Sequence, residues 1–133
     1  MTMRNPYQAY QQNSVTTASP GELTLQLYNG CLKFMHIAKN AIEKNDIQQR
    51  HANLIKAQNI ISELMTTLDE KYDVAQNMML LYDFILRRLM DANLKNDLKA
   101  LAEAEELVTE FRDTWKEVIQ LNRQQSANQG DRA

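Results

Sequence analysis

Apolar residues recur along most of this chain at spacings of three and four, the period of an amphipathic helix. Leu54, Ala57, Ile61, Leu64, Met65 and Leu68 form one series, and Ala75, Met78, Tyr82, Ile85, Leu89 and Ala92 a second. Leu101, Ala104, Val108, Phe111, Trp115 and Val118 form a third. Upstream, Leu25, Tyr28, Leu32 and Met35 run beside a parallel line of Leu23, Leu27, Cys31, Phe34, Ala38 and Ala41. The boundaries carry start and stop chemistry. Ser19-Pro20-Gly21-Glu22 reads as a capping box. The serine hydroxyl can cap the helix, the proline suits the first helical position, and the glutamate can reach back to the serine amide. Asp46 after Asn45, and Asp97 after Lys95-Asn96, each supply a carboxylate cap following a break. The pattern predicts helices over about 20–43, 47–68, 74–94 and 98–121.

Pro6 and Pro20 are the only prolines, so nothing interrupts these segments. Each helix is roughly 30–38 Å long at 1.5 Å rise per residue, and the short connections make neighbours antiparallel. The expected architecture is all-α, an antiparallel four-helix bundle over residues 19–123. An N-terminal segment, residues 1–18, precedes it, and a polar flexible tail, residues 124–133, follows. At 133 residues the chain is one domain.

Composition excludes several classes. With three Gly and two Pro, the chain lacks the turns of an all-β fold and the Gly-rich loops of a nucleotide-binding fold. Lys plus Arg number 15 against 17 Asp plus Glu, a net charge of −2 that argues against a nucleic-acid binder. The lone cysteine, Cys31, forms no intrachain disulfide. No apolar run is long enough to span a membrane, and the first residues lack the apolar core of a signal peptide. The expectation is a cytoplasmic protein with no stable membrane insertion.

Candidate chemistry is sparse. His36 and His51 fall on different helices, and no helical metal-ligand spacing, phosphate loop or nucleophile elbow occurs. No catalytic residue, metal or cofactor is expected, and the chain reads as a non-enzyme. Cys31, among Leu27, Leu32 and Phe34, reads as a small buried hydrophobe. Glu103, Glu106, Glu110, Asp113 and Glu117 form an acidic stripe, either a solvated face or a docking face for a basic partner. Arg87 and Arg88 have partners at helical spacing in Asp83 and Asp91.

What stands out is surplus apolar surface. The two lines on the first helix cover an arc of roughly 240°, against the roughly 100° that one core stripe needs. The third helix adds Met79, Leu81, Phe84, Leu86 and Met90 outside its core line. Either the helices are unusually buried, or the chain self-associates, or it binds an apolar partner, for which seven methionines are suited. Gly30, inside the first helix at a cost of about 1 kcal/mol relative to Ala, suggests close approach of another segment. Residues 1–18 are polar yet carry Tyr7 and Tyr10, which read as aromatic anchors folding back onto an apolar groove. From periodicity, Ile55, Ile60, Met79, Leu86 and Met90 are expected to line that groove.

Several stretches together resemble the flagellar export chaperones of the FliS family. They are Asn5-Pro6-Tyr7-x-x-Tyr10 through Ser19-Pro20-Gly21-Glu22-Leu23, then Leu27-Tyr28-Asn29-Gly30, then Leu81-Tyr82-Asp83-Phe84-Ile85-Leu86-Arg87-Arg88-Leu89 with Ala92-Asn93-Leu94-Lys95-Asn96-Asp97, and finally Trp115-Lys116. The resemblance spans about residues 4–121, in register. It implies a helical bundle that binds the disordered C-terminal region of flagellin in the cytoplasm. Such a bundle prevents premature polymerisation and delivers its client to the flagellar type III secretion apparatus, with export-gate components as further partners. It also implies that the segment bearing Tyr7 and Tyr10 lies over part of the client groove. As a monomer or weak homodimer the chain would serve as this chaperone. The alternative is a homodimeric structural or adaptor bundle whose surplus apolar surface is its own interface.

Overall fold

The computed structural model describes residues 19–132. Four helices fill it: α1 (Pro20–Glu43), α2 (Ile47–Thr66), α3 (Asp73–Lys95) and α4 (Leu98–Arg132). Each packs on two neighbours, α1 on α2 and α4, and α3 on α2 and α4, so the helices form a closed antiparallel ring with α1 and α3 on one diagonal.

The caps explain where the helices begin and end. Ser19 Oγ accepts from the Glu22 amide at 3.2 Å, Asp46 Oδ1 from the Gln49 amide at 3.1 Å, and Asp97 Oδ1 from the Ala100 amide at 3.1 Å. The box at Ser19 is half used, because the Glu22 carboxylate is taken by Arg123 of α4. The turn from α1 to α2 is a Schellman ending. Asn45 adopts φ 59°, its amide bonds Ile42 O, and the Asp46 amide reaches Ala41 O at 2.8 Å. Asn96, at φ 53°, ends α3 in the same left-handed region. Asparagine fills the place usually held by glycine because its short amide tolerates that conformation.

Two boundaries differ from the sequence expectation. Helix α2 stops at Thr66 instead of Leu68. The Thr66 and Thr67 hydroxyls bond the carbonyls of Glu63 and Leu64, each at 2.6 Å, and close the last turn. Helix α4 continues past Leu121 to Arg132. No proline occurs there, and the Arg123–Glu22 pair holds the extension against the start of α1.

The core is built from the expected stripes. Leu27, Cys31, Met35, Leu54, Ile61, Leu64, Ile85, Leu89, Leu101 and Val108 are buried, with alanines 38, 57, 92 and 104 letting the backbones approach. The α1–α2 and α3–α4 turns close one end of the bundle with polar contacts. Arg50 Nε donates to Asn93 Oδ1 at 3.2 Å, and Asn93 Nδ2 lies 3.0 Å from His51 Nδ1. The expected surface pairs form as well, Arg87–Asp83 at 2.9 Å and Arg88–Asp91 at 2.6 Å. The first is largely exposed and contributes little.

A methyl group at Gly30 would meet only Ile60 Cδ1, at 3.5 Å, an ordinary contact. The approach of α2 is close but does not demand glycine. Gly30→Ala is therefore expected to raise stability by about 0.5–1 kcal/mol, because alanine loses less conformational entropy in a helix. Chemical denaturation checks this as a higher midpoint with an unchanged slope.

Candidate functional site

At the end opposite the polar turns, the core stripes run out of cover. Met65, Leu68, Met78, Phe111 and Trp115, all stripe residues, are only partly buried and pack against the rim of the core. Beside Leu68, Met78, Phe111 and Trp115 opens a groove of about 850 Å³. Helix α1 supplies Leu23, Leu27 and Tyr28, the end of α2 supplies Glu63, the α2–α3 connection supplies Leu68, α3 supplies Val74, Met78 and Tyr82, and α4 supplies Phe111, Trp115 and Val118. Glu63 is the one charged side chain in its lining. Thr67 and Leu68 of the α2–α3 connection complete its rim.

Two devices hold the groove in shape. Trp115 Nε1 donates to Gly21 O at 2.6 Å, tying the first turn of α1 to α4 across 94 positions of sequence. On the floor, Phe111 meets Tyr82 edge-on at 5.8 Å between ring centres and lies 6.1 Å from Tyr28. The hydroxyls of Tyr28 and Tyr82 are 2.6 Å apart, bridging the diagonal helices. Both residues are nearly fully buried, at 4% and 2% exposure. Burial raises the pKa of both phenols, and their mutual hydrogen bond raises that of Tyr82 further, so both stay protonated.

The residues expected to line a groove fall elsewhere. The contacts of Arg50 and His51 with Asn93 put that side of α2 against α3. Leu86 and Met79 lie seven and fourteen residues before Asn93, on the same line of α3, with Met90 beside them. Ile55 follows His51 by one turn on α2. These four therefore flank the α2–α3 furrow, Met90 49% and Ile55 36% exposed. Ile60 is in the core at 2% exposure and borders a second cavity between α1 and α2, beside Gly30. Tyr7, Tyr10 and the N-terminal segment lie outside the described residues.

The large groove was missed because its walls are the core stripes themselves. Periodicity marks a stripe as buried along its whole length, so surplus apolar positions point only to the surface beside it. The sequence carries no signal for the groove, because the second stripe runs on to Leu68 while the helix that carries it stops at Thr66.

Cys31 is fully buried, bonding weakly to Ala57 O at 3.8 Å. His36 is exposed. Among the described residues, no three His, Cys, Asp or Glu side chains are placed to hold a metal ion. No helix among them is long and apolar enough to cross a membrane. The fold and groove define an all-α helical bundle with an apolar cleft at one end.

Known proteins narrow this class. The family described as "Flagellar protein FliS" matches residues 3–122. The flagellar secretion chaperone FliS of Bacillus subtilis is 55% identical over 130 residues, 98% of each chain. That of Escherichia coli is 38% identical, covering 84% of this chain and 88% of its own length. A solved structure described as a flagellar chaperone from bacteria shares the fold, with a TM-score of 0.71 at 20% identity over 86% of this chain and 94% of its own. The chain belongs to the FliS family of flagellar secretion chaperones.

Burial pushes the Cys31 thiol from its ordinary value of 9.0 up to about 12. The unfolded chain loses that proton near its ordinary value while the folded chain keeps it. Stability is therefore expected to fall as pH rises from about 9 toward about 12. Thermal melts through that range should show a falling midpoint, less steeply in Cys31→Ala. At neutral pH the native thiol should resist Ellman's reagent and react fully once denaturant is added.

Proposed function

We propose that this chain binds the disordered C-terminal region of flagellin in the cytoplasm, keeps it from polymerising and delivers it to the flagellar type III secretion apparatus. The observation that carries this reading is the open end of the core, where apolar residues of α1, α3 and α4, with Leu68 of the α2–α3 connection, surround a groove with a single charged side chain in its lining. A disordered segment with an apolar side gains cover there and folds as it binds. The names of the relatives support the export role. The groove alone is smaller than such a segment, so the contact extends along the bundle. Ile55, Met79, Leu86 and Met90 on the α2–α3 furrow, and Ile60 beside the α1–α2 furrow, are its proposed continuation, with Tyr7 and Tyr10 closing over the groove.

A second reading has its own support. Leu80 and Leu94 on α3 are 70% and 81% exposed, which would suit a homodimeric adaptor. Sedimentation of the purified chain separates the two: a tight dimer that persists with flagellin present favours the adaptor.

The flagellin C-terminal segment is expected to bind and gain helicity in circular dichroism, with little weakening as salt rises, since the contact is apolar. Binding by the flagellin N-terminal region instead would overturn the reading. Tyr10→Ala should weaken the complex on the order of tenfold or more, because a packed aromatic anchor is worth on the order of 2 kcal/mol. Titration calorimetry beside a melting curve measures this. Unchanged or tighter binding by a folded variant would remove Tyr10 from the contact.

A further inference from the structure

The paired hydroxyls on the groove floor do not balance. Tyr28 and Tyr82 are both protonated, so two hydrogens lie between two oxygens 2.6 Å apart. One hydrogen makes the bond between them. Among the described residues, the only hydrogen-bond partner of each hydroxyl is the other, so the second hydrogen has no acceptor among them. A buried hydroxyl donor left unmade is costly. Both rings border the groove, which gives that hydrogen a place to go.

We propose that this hydroxyl pair is a recognition element, donating one hydrogen bond to an uncharged amide carbonyl oxygen of the segment bound in the groove. The inference rests on the reading of the groove as the client site. A carboxylate acceptor is disfavoured, because the lining contains Glu63 and neither Lys nor Arg to offset a buried negative charge. An amide oxygen accepts without that penalty. The pair thereby gives an otherwise apolar groove one fixed polar point, which sets the register of a sliding amphipathic segment. An apolar occupant with no acceptor at that point leaves the donor unpaired and is discriminated against.

The test uses the full chain and the flagellin C-terminal segment, with Tyr28→Phe, Tyr82→Phe and the double variant. All three lose a core hydrogen bond, and all three should melt lower. The single variant lacking the outward hydroxyl, and the double variant, should bind about fivefold more weakly, the effect of one neutral hydrogen bond. The other single variant should keep its affinity. A purely structural pair would lower the melting midpoint in all three and leave every dissociation constant within about twofold, and that result overturns the proposal. Should a variant fail to fold, exchange of the phenolic hydrogens in the unaltered protein decides. Protection of one of them on adding the segment supports the proposal, and unchanged exchange overturns it. Replacing each Asn and Gln of the segment with Ala in turn locates the acceptor. Loss of the Tyr→Phe effect with one replacement identifies a side-chain amide, and its survival in all identifies a main-chain carbonyl. A segment that does not bind even the unaltered protein refutes the client reading and this inference with it. A segment that binds regardless of the hydroxyls refutes this inference alone.

Discussion

Helix length is the constraint on which the rest of this structure depends. Helix α2 has 20 residues and α4 has 35. Most of the extra length of α4 lies beyond Trp115, which already meets the first turn of α1; against α1 and α3, of 24 and 23 residues, α2 falls short by about one turn. A four-helix ring buries its stripes only where all four members are present. At the end where α2 stops, the inward side chains of α1, α3 and α4 have no fourth wall, and the stripe that is core elsewhere becomes the wall of a groove. The threonines that close α2 at Thr66 and Thr67 therefore set where the core ends and the groove begins.

An open core end is normally a liability, since apolar surface left in water favours association or collapse. Here the groove is braced so that it persists. The Trp115 indole holds the first turn of α1, Arg123 holds Glu22, and the Tyr28–Phe111–Tyr82 cluster spans the diagonal beneath. Each brace joins elements at the open end, while the opposite end is sealed by Arg50, His51 and Asn93. The molecule thus separates a sealed, polar end from an open, apolar one. On the proposed function it needs both, because it would remain folded while presenting an unmet apolar surface to an unfolded client.

The same division explains the side chains that do nothing chemical. Cys31 is inert because it lies where all four helices are present, and burial keeps its thiol protonated. The acidic residues of α4 are mostly solvated, with Glu103 turned toward Arg88 at 3.4 Å.

Much of this was determined by sequence alone. The period of three and four placed all four helices, because which face of a helix is apolar depends only on neighbours along the chain. Ser19, Asp46 and Asp97 marked the starts because capping is a local interaction over three residues. The motifs through Tyr28-Asn29-Gly30 and Leu81 to Asp97 pointed to the family. Tertiary structure decided what periodicity cannot carry. A stripe records that a face is apolar, not whether a partner helix is long enough to cover it. So Met78, Phe111 and Trp115 read as core and stand at a groove, while Ile60 reads as surplus and is buried. The Tyr28–Tyr82 contact, 54 positions apart, and the Trp115–Gly21 contact, 94 apart, exist only once the ring has closed.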